Sequence, residues 1–483
     1  MTRELRFQRI PDVIRRLSAG IRWKLQPDFT PLLDEVLQSP AQVVKESPVK
    51  QVTRHHHHGR EYYIKRYLHR SVPLRPLKYL FKATPAWQEW DLSRKLEARG
   101  IPVVRHVAFG ERRSWTGVQE SILITEGFAG LPINEVAGLD PKVVLRFVEN
   151  MHESGVIQED LHPANILVQD NPLELRLVDL HGTRVVSRLS SAERQRNLAV
   201  LRIYLPIPVS QEIERLSRCA RQAWLFQRSK RCLRNNREFG TVREGSLKWR
   251  VRLTFLDGSV RRVLTAPDDF LASRAQVLKP GRSATVGKAD GLVLKRFNLR
   301  KAESLFKDLF RPSRAQRAFR AAYHLELAGV STARAIAFAE RRWLRILLRS
   351  YLVTAEVPGA VSLQDWLKSG RTLDRAASRA LGELIGRLHR EGFSHRDLKP
   401  TNILFDDQGL PHLIDLDGLH RMAAIPDSRA AADLERLNRG VAAWKQAGKG
   451  SRMSFLRAYC RMRQIVKIPR LGTPRQDAPR ERD

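Results

Sequence analysis

Two stretches of this chain repeat one pattern: MHESGVIQEDLHPANIL (Met151–Leu167) and LHREGFSHRDLKPTNIL (Leu388–Leu404). Each places an Asp five residues before an Asn, Asp160 before Asn165 and Asp397 before Asn402. A strand-like run then ends in a second Asp, Asp179 in LRLVDLHG and Asp415 in HLIDLDG, 14 and 13 residues past the Asn. Apolar residues at helical spacing precede both, namely Val144, Phe147, Val148 and Met151, then Leu381, Leu384, Ile385 and Leu388. Each run stops at a Gly, Gly155 or Gly392, which predicts a buried helix delivering each loop. Repetition on this scale demands two copies of one domain-sized unit.

The spacing fits phosphoryl transfer. A hydroxyl attacking the γ-phosphate of ATP needs an acceptor for its proton, and Mg²⁺ must be held against the phosphate oxygens by hard oxygen ligands. In kinase-like folds the first Asp faces the hydroxyl, the Asn reaches a metal, and the Asp after the next strand grips the metal bridging the phosphates. Asp160 and Asp397 are thus the candidate bases, with Lys399 beside the second, and Asn165, Asp179, Asn402 and Asp415 the candidate metal ligands. Further upstream, YYIKRY carries Lys65 and LVLKRF carries Lys295, each on a predicted strand and placed for the α/β-phosphates. ILITE and YLVTAE run into predicted adenine hinges at Glu126 and Glu356, both 61 residues after the Lys.

These segments resemble the lipopolysaccharide kinase family of the protein-kinase-like superfamily. The likeness rests on YYIKRY, WQEWDLSRKLEARGIPVVRHVAFGER, ILITEGFAG and QEDLHPANIL, and on LVLKRF, HLELAGVSTARAIAFAER, YLVTAEVPG and HRDLKPTNIL. It implies an α+β chain of two tandem protein-kinase-like bilobal domains, each with a β-rich N-lobe and a helical C-lobe. It also implies an ATP- and Mg²⁺-dependent kinase of inner-core heptose or Kdo sugars, with the lipopolysaccharide core or a lipid A precursor as partner. Two other readings stay open: a protein or small-molecule kinase of the same fold, which HRDLKPTN favours although no APE segment follows Asp415, or a tandem kinase/pseudokinase scaffold.

The copies differ. Aligning the Gly stops of the predicted αC-like helices, Gly100 and Gly329, makes Glu89 the partner of Lys65 but puts Ala318 in the matching place. Glu326, eight residues on, is about 12 Å further along a helix and substitutes only if the helix shifts. His395, Arg396 and Lys399 surround Asp397, where the first copy has Gln158, Glu159 and His162. A phosphate-covering loop is read at Gly281 to Gly287 in the second copy, while the first offers only His55 to His58 before Gly59. Adjacent histidines on a strand point to opposite faces, so this run is expected to be a phosphate-facing or exposed strand end, not a metal site. His152 and His389 are expected to be satisfied structural histidines, and Trp87 and Trp90 to pack between lobes.

The domains are expected at 46–240 and 245–465, after an extension over 1–45 and before a disordered tail at 469–483 rich in Pro, Arg and Asp. LKWRVRL and GSVRRVL are expected to be strands opening the second unit. Three cysteines, no signal peptide in MTRELRFQRIPD and no apolar run long enough for a bilayer predict a cytoplasmic protein. The 86 Lys and Arg against 51 Asp and Glu leave a net +35, which calls for an anionic partner. Without a helix-turn-helix, zinc-finger or RNA-binding pattern, nucleic acid is not expected, and the anionic inner-membrane surface is. Arg311, Arg314, Arg317 and Arg320, together with the run Arg228 to Arg237, are the candidate contacts for a peripheral membrane protein.

Overall fold

The computed structural model describes residues 13–71, 75–279, 281, 283–298, 311–343, 346–440 and 449–464. The chain divides into two compact units, Met1–Arg221 and Gln222–Asp483.

The first unit opens with β1 (Ile14–Ser18), β2 (Ile21–Leu25), β3 (Ala41–Ser47), β4 (Lys50–His57), β5 (Arg60–Leu68), β6 (His106–Ser114) and β7 (Gly117–Glu126). They form one antiparallel sheet in the order β1-β2-β6-β7-β5-β4-β3. Alternation builds it: Ile21, Trp23 and Leu25 on β2, Tyr62 and Ile64 on β5, and Ile122 and Ile124 on β7 all enter one core cluster. The helix Pro85–Glu97 lies against the sheet, started by Thr84, whose side chain accepts from the Trp87 N–H, and by Pro85 in its first turn.

A helical half follows. The helix Pro141–Glu153 buries Val144, Val148 and Met151. Flanking it are β8 (Leu131–Pro132) before and β9 (Val156–Gln158), β10 (Ile166–Asp170), β11 (Leu173–Leu177) and β12 (Thr183–Val185) after, paired as β11-β10-β8 and β12-β9. Gly155, which ends the helix, is at φ +71°, and a Cβ there would meet the Val186 carbonyl at 2.1 Å, so only glycine fits.

The second unit repeats this plan strand for strand. Its large sheet comprises β13 (Phe239–Glu244), β14 (Leu247–Arg252), β15 (Gln276–Lys279), β16 (Ala284–Ala289), β17 (Leu292–Phe297), β18 (Ala335–Trp343) and β19 (Ile346–Ala355). The order, β13-β14-β18-β19-β17-β16-β15, matches the first sheet, and all pairings are antiparallel. β20 (Val361–Ser362), β21 (Phe393–His395), β22 (Ile403–Phe405), β23 (Pro411–Leu413) and β24 (Leu419–Arg421) then repeat the small sheets as β20-β22-β23 and β21-β24. Gly392 mirrors Gly155 at φ +81°, with the Met422 carbonyl 2.3 Å from a Cβ.

Three expectations are corrected. Residues 1–45 are not merely an extension, because β1, β2 and most of β3 belong to the first sheet. The division falls at Arg221/Gln222, not near 240, since Leu225, Cys232 and Phe239 are core residues of the second unit. GSVRRVL is a helix, Gly258–Thr265: Asp257 caps it by accepting from the Val260 N–H at 2.8 Å, and Val260, Val263 and Leu264 supply a buried stripe at helical spacing. The 469–483 tail lies outside the described residues.

Candidate active sites

In the first unit, β5 and the helix Pro85–Glu97 bring Lys65 and Glu89 into a buried ion pair. Burial alone would push the Glu89 carboxyl up, but the Lys65 ammonium and the His106 ring overrule it and hold it at about 2. The His106 Nε2 lies 3.7 Å away, and the Tyr67 hydroxyl donates to Glu89 at 3.5 Å. The same surroundings, burial first and then the Glu89 and Asp179 charges, raise the Tyr67 phenol.

The helical half ties the backbones of Asp160 and Asp179 together through Gln158. This fully buried amide donates to the Asp179 carbonyl at 2.8 Å and accepts from the Asp160 N–H at 3.1 Å. The Asn197 Oδ1 accepts from the His152 Nε2 at 2.9 Å while its Nδ2 donates to the Gln158 carbonyl at 2.7 Å, so His152 is a satisfied structural residue. Asn165 donates to the Asp160 carbonyl at 2.9 Å, and its own carbonyl accepts from Val178, next to Asp179, at 3.1 Å. Asp160, Asn165 and Asp179 therefore share one backbone cradle. The Asp179 Oδ1 accepts from the His181 N–H at 3.0 Å.

Lys50 was missed from the sequence. It sits on β4 two residues from Val52, which pairs with Lys65 across the sheet, so alternation turns it to the Lys65 face. Burial lowers its ammonium, with Lys65 lowering it further and Glu89 and Asp179 opposing. The turn Ser47–Lys50 between β3 and β4 therefore ends in a lysine on the Lys65 face of the sheet. The His55 to His58 run occupies the opposite end of β4 with His56 and His58 exposed, so of the two expected readings it is the exposed strand end and not the phosphate-facing one.

The second unit arranges equivalent residues differently. Ala318 is buried five residues after the Ser313 cap, as Glu89 is five after Thr84. Glu326 does not substitute: it pairs with Arg252 at 2.9 Å. Lys295 instead pairs directly with Asp415, which adopts the left-handed conformation at φ +61°. Burial works against the charge of Asp415, but Asp417, Lys295 and Arg314 together hold its carboxyl well below the usual range. Burial and the Asp415 charge raise Asp417, which pairs with Arg314 on the helix Arg314–Leu327. That pair joins the helix to the loop carrying Asp415 and Asp417 in place of a Lys–Glu contact.

Asn402 donates to the Asp397 carbonyl at 2.8 Å and to its carboxylate at 3.2 Å, and Lys399 lies 2.7 Å from that carboxylate. His395 accepts from the Asp397 N–H at 3.2 Å and approaches the Ile414 carbonyl at 3.4 Å. Its own N–H donates to Asp433 at 3.0 Å. His389 is likewise satisfied, between Tyr459 at 2.8 Å and Asp433 at 3.3 Å.

Other expected residues serve other contacts. The Glu126 carboxylate meets Arg105 at 3.3 Å and Arg60 at 3.5 Å, and that of Glu356 meets Lys288 at 2.8 Å. Gly281 lies in the β15–β16 turn, where its carbonyl accepts from Asn298 at 3.1 Å. Gly287 is not in that loop but within β16, where a Cβ would strike Ala275 and Leu271 at 2.8 and 2.9 Å. Trp90 packs inside the sheet lobe with Ala86, Phe109 and Leu123, and Trp87 stacks edge-on to Phe109 at 5.3 Å, so neither sits between lobes. Two of the four arginines expected on an open face are engaged within the fold. Arg314 turns to Asp417, and Arg320 lies 4.3 Å over the Phe226 ring and donates to Ser229 at 3.2 Å.

Fold and site define a protein-kinase-like class: a sheet lobe carrying the Lys, and a helical lobe carrying the Asp, Asn and second Asp, present twice. The sequence profile of the lipopolysaccharide kinase (Kdo/WaaP) family matches residues 34–219 and 279–459. The chain belongs to that family. It is 30% identical over 171 residues to the lipopolysaccharide core heptose(I) kinase WaaP of Pseudomonas aeruginosa, across 30% of this chain and 62% of that protein. It is 31% identical over 185 residues to the 3-deoxy-D-manno-octulosonic acid kinase of Xanthomonas axonopodis pv. citri, across 34% of this chain and 71% of that one. A solved structure described as WaaP in complex with acyl carrier protein aligns with 40% of this chain and 86% of that chain, at 22% identity and a TM-score of 0.31.

Proposed function

We propose that this chain transfers the γ-phosphate of ATP to a hydroxyl of an inner-core sugar of lipopolysaccharide, heptose or Kdo, at the cytoplasmic face of the inner membrane. The observation that carries the reading is the first unit's cradle, in which Gln158 holds Asp160 and Asp179 together while Lys65 and Glu89 pair nearby. Asp160 is exposed, as a base awaiting a hydroxyl must be, and its role is to accept the proton as the hydroxyl attacks. Lys65, oriented by Glu89, holds the α/β-phosphates, and Lys50 at the end of the β3–β4 turn adds a second cation over them. Asn165 and Asp179 offer hard oxygens that suit Mg²⁺, which when bound neutralises charge on the phosphate oxygens.

The test is Mg²⁺-dependent ATP consumption by the full chain with purified core oligosaccharide. Stimulation by the oligosaccharide, and a missing phosphate in the core of cells lacking the protein, are expected. Phosphorylation of a protein but not of the sugar overturns the substrate.

Among the described residues no helix is long and apolar enough to cross a membrane. A different feature supports surface attachment. In the first unit the β1–β2 hairpin and the segment following the helix Arg75–Phe81 line an open groove of about 790 Å³, with Arg15, Arg16, Arg22, Lys24, Lys82 and Arg113 and the single acid Glu111 on its walls. Phe81, also on its lining, is 90% exposed, a hydrophobic residue beside a basic concavity. Anionic lipid attracts such cations by about 1 kcal/mol each near the surface. Cosedimentation with vesicles containing acidic phospholipid should weaken as salt rises, and Phe81→Ser with Lys82→Ser should reduce it at least several-fold. Binding that ignores salt and both substitutions counts against this attachment.

A further inference from the structure

We propose that His57, His58 and Glu35 form a binding site for a divalent transition-metal ion of borderline softness, such as Zn²⁺, Co²⁺, Ni²⁺ or Cu²⁺. This site is separate from the hard-oxygen site of the phosphoryl-transfer centre and does not rest on the proposed reaction. Strand alternation argues against convergence of neighbouring histidines, but it ends at His57, the last residue of β4. His58 lies in the β4–β5 turn at φ +45°, and Gly59 follows at φ +73°. The left-handed backbone swings the His58 ring back beside that of His57, with centroids 4.2 Å apart and planes inclined at 66°.

The two rings meet Glu35 on the helix Leu33–Gln38. The His57 Nε2 is 2.9 Å and the His58 Nε2 3.9 Å from the Glu35 Oε2, and one ligand atom from each residue lies within 4.8 Å of the others. Metal–nitrogen and metal–oxygen bonds of about 2.0–2.2 Å at tetrahedral angles put neighbouring ligand atoms about 3.4 Å apart. The two observed distances to the carboxylate bracket that value. The His57 Nε2 is also shielded from solvent and forms no aligned hydrogen bond, despite its closeness to the carboxylate, as expected of a lone pair aimed at a shared ion. Two imidazoles and one carboxylate leave a fourth position for water or an external ligand, and imidazole selects against Mg²⁺ and Ca²⁺.

The neighbouring histidines are engaged elsewhere. His55 meets Thr53 at 2.9 Å and Ser39 at 3.2 Å, and His56 lies 3.6 Å from Glu61. They therefore serve as internal controls for simple attraction of metal to a histidine run.

Metal-free full-length protein titrated with Co²⁺, read by visible d–d absorption and by Zn²⁺ competition, should take up about one equivalent. His57→Gln, His58→Asn and Glu35→Gln should each weaken that binding about tenfold or more, while His56→Gln and Asp179→Asn leave it within about twofold. Asn is chosen at position 58 because it tolerates a positive φ. Should His57→Gln lower the unfolding midpoint of the metal-free protein, His58→Asn decides, since that side chain is 79% exposed in a turn. Binding that survives all three substitutions, or that falls equally in His56→Gln, overturns the site.

Discussion

Asp160→Ala is expected to lower phosphate transfer by about 10²- to 10⁴-fold in kcat, the range a positioned base contributes, with little change in the KM for ATP. In the proposed mechanism the base acts only as the hydroxyl loses its proton, whereas nucleotide binding would fall to Lys65, Glu89 and the hinge. Asp397→Ala is expected to leave the total nearly unchanged. The reason lies in the second unit's cation balance: Lys295 already occupies Asp415, and Arg314 occupies Asp417. A metal ion there competes with an ammonium for its carboxylate, while Asp179 accepts a backbone N–H from His181. Single-turnover transfer to core oligosaccharide measures both variants. Full activity in Asp160→Ala sinks the assignment to the first unit, and near-complete loss in Asp397→Ala alone moves the chemistry to the second.

Glu89→Gln is expected to destabilise the sheet lobe of the first unit by about 3–5 kcal/mol near neutral pH, the usual cost of stranding one partner of a buried ion pair. The pH dependence has a defined sign. The folded carboxyl titrates at about 2 against an ordinary 4.5, so its stabilisation is complete above 4.5 and disappears as pH falls through 2. At about 1.4 kcal/mol per pH unit that gap corresponds to roughly 3 kcal/mol. Amide hydrogen exchange over the helix Pro85–Glu97 should show wild-type protection declining between pH 4.5 and the acid limit, with the Gln variant low and flat. Equal acid sensitivity in wild type and variant would remove Glu89 as the cause.

The loops Asp160 to Asn165 and Asp397 to Asn402 were readable because their contacts are local: each Asn bonds back to an Asp carbonyl five residues earlier. The Glu89/Ala318 difference was readable for a similar reason, as both positions count from a helix end. Lys50 was recoverable in principle from strand alternation once β4 was placed, but the His run drew attention to the wrong end of that strand. Arg314 was misread as part of a surface stripe because a three-residue interval describes positions on a helix and says nothing of what faces them.

The duplicated fold, the spacing of candidate bases and metal ligands, and the missing carboxylate at Ala318 were determined by the chain's own order of residues. They depend on short-range periodicity and on repeats that need no third dimension. Which cation meets which carboxylate was decided only by tertiary structure: Lys295 reaches Asp415 across 120 residues, and Arg314 reaches Asp417 across 103. Such pairings follow from how sheet and helix lobes pack, because an ion pair's energy depends on distance and burial and not on separation along the chain.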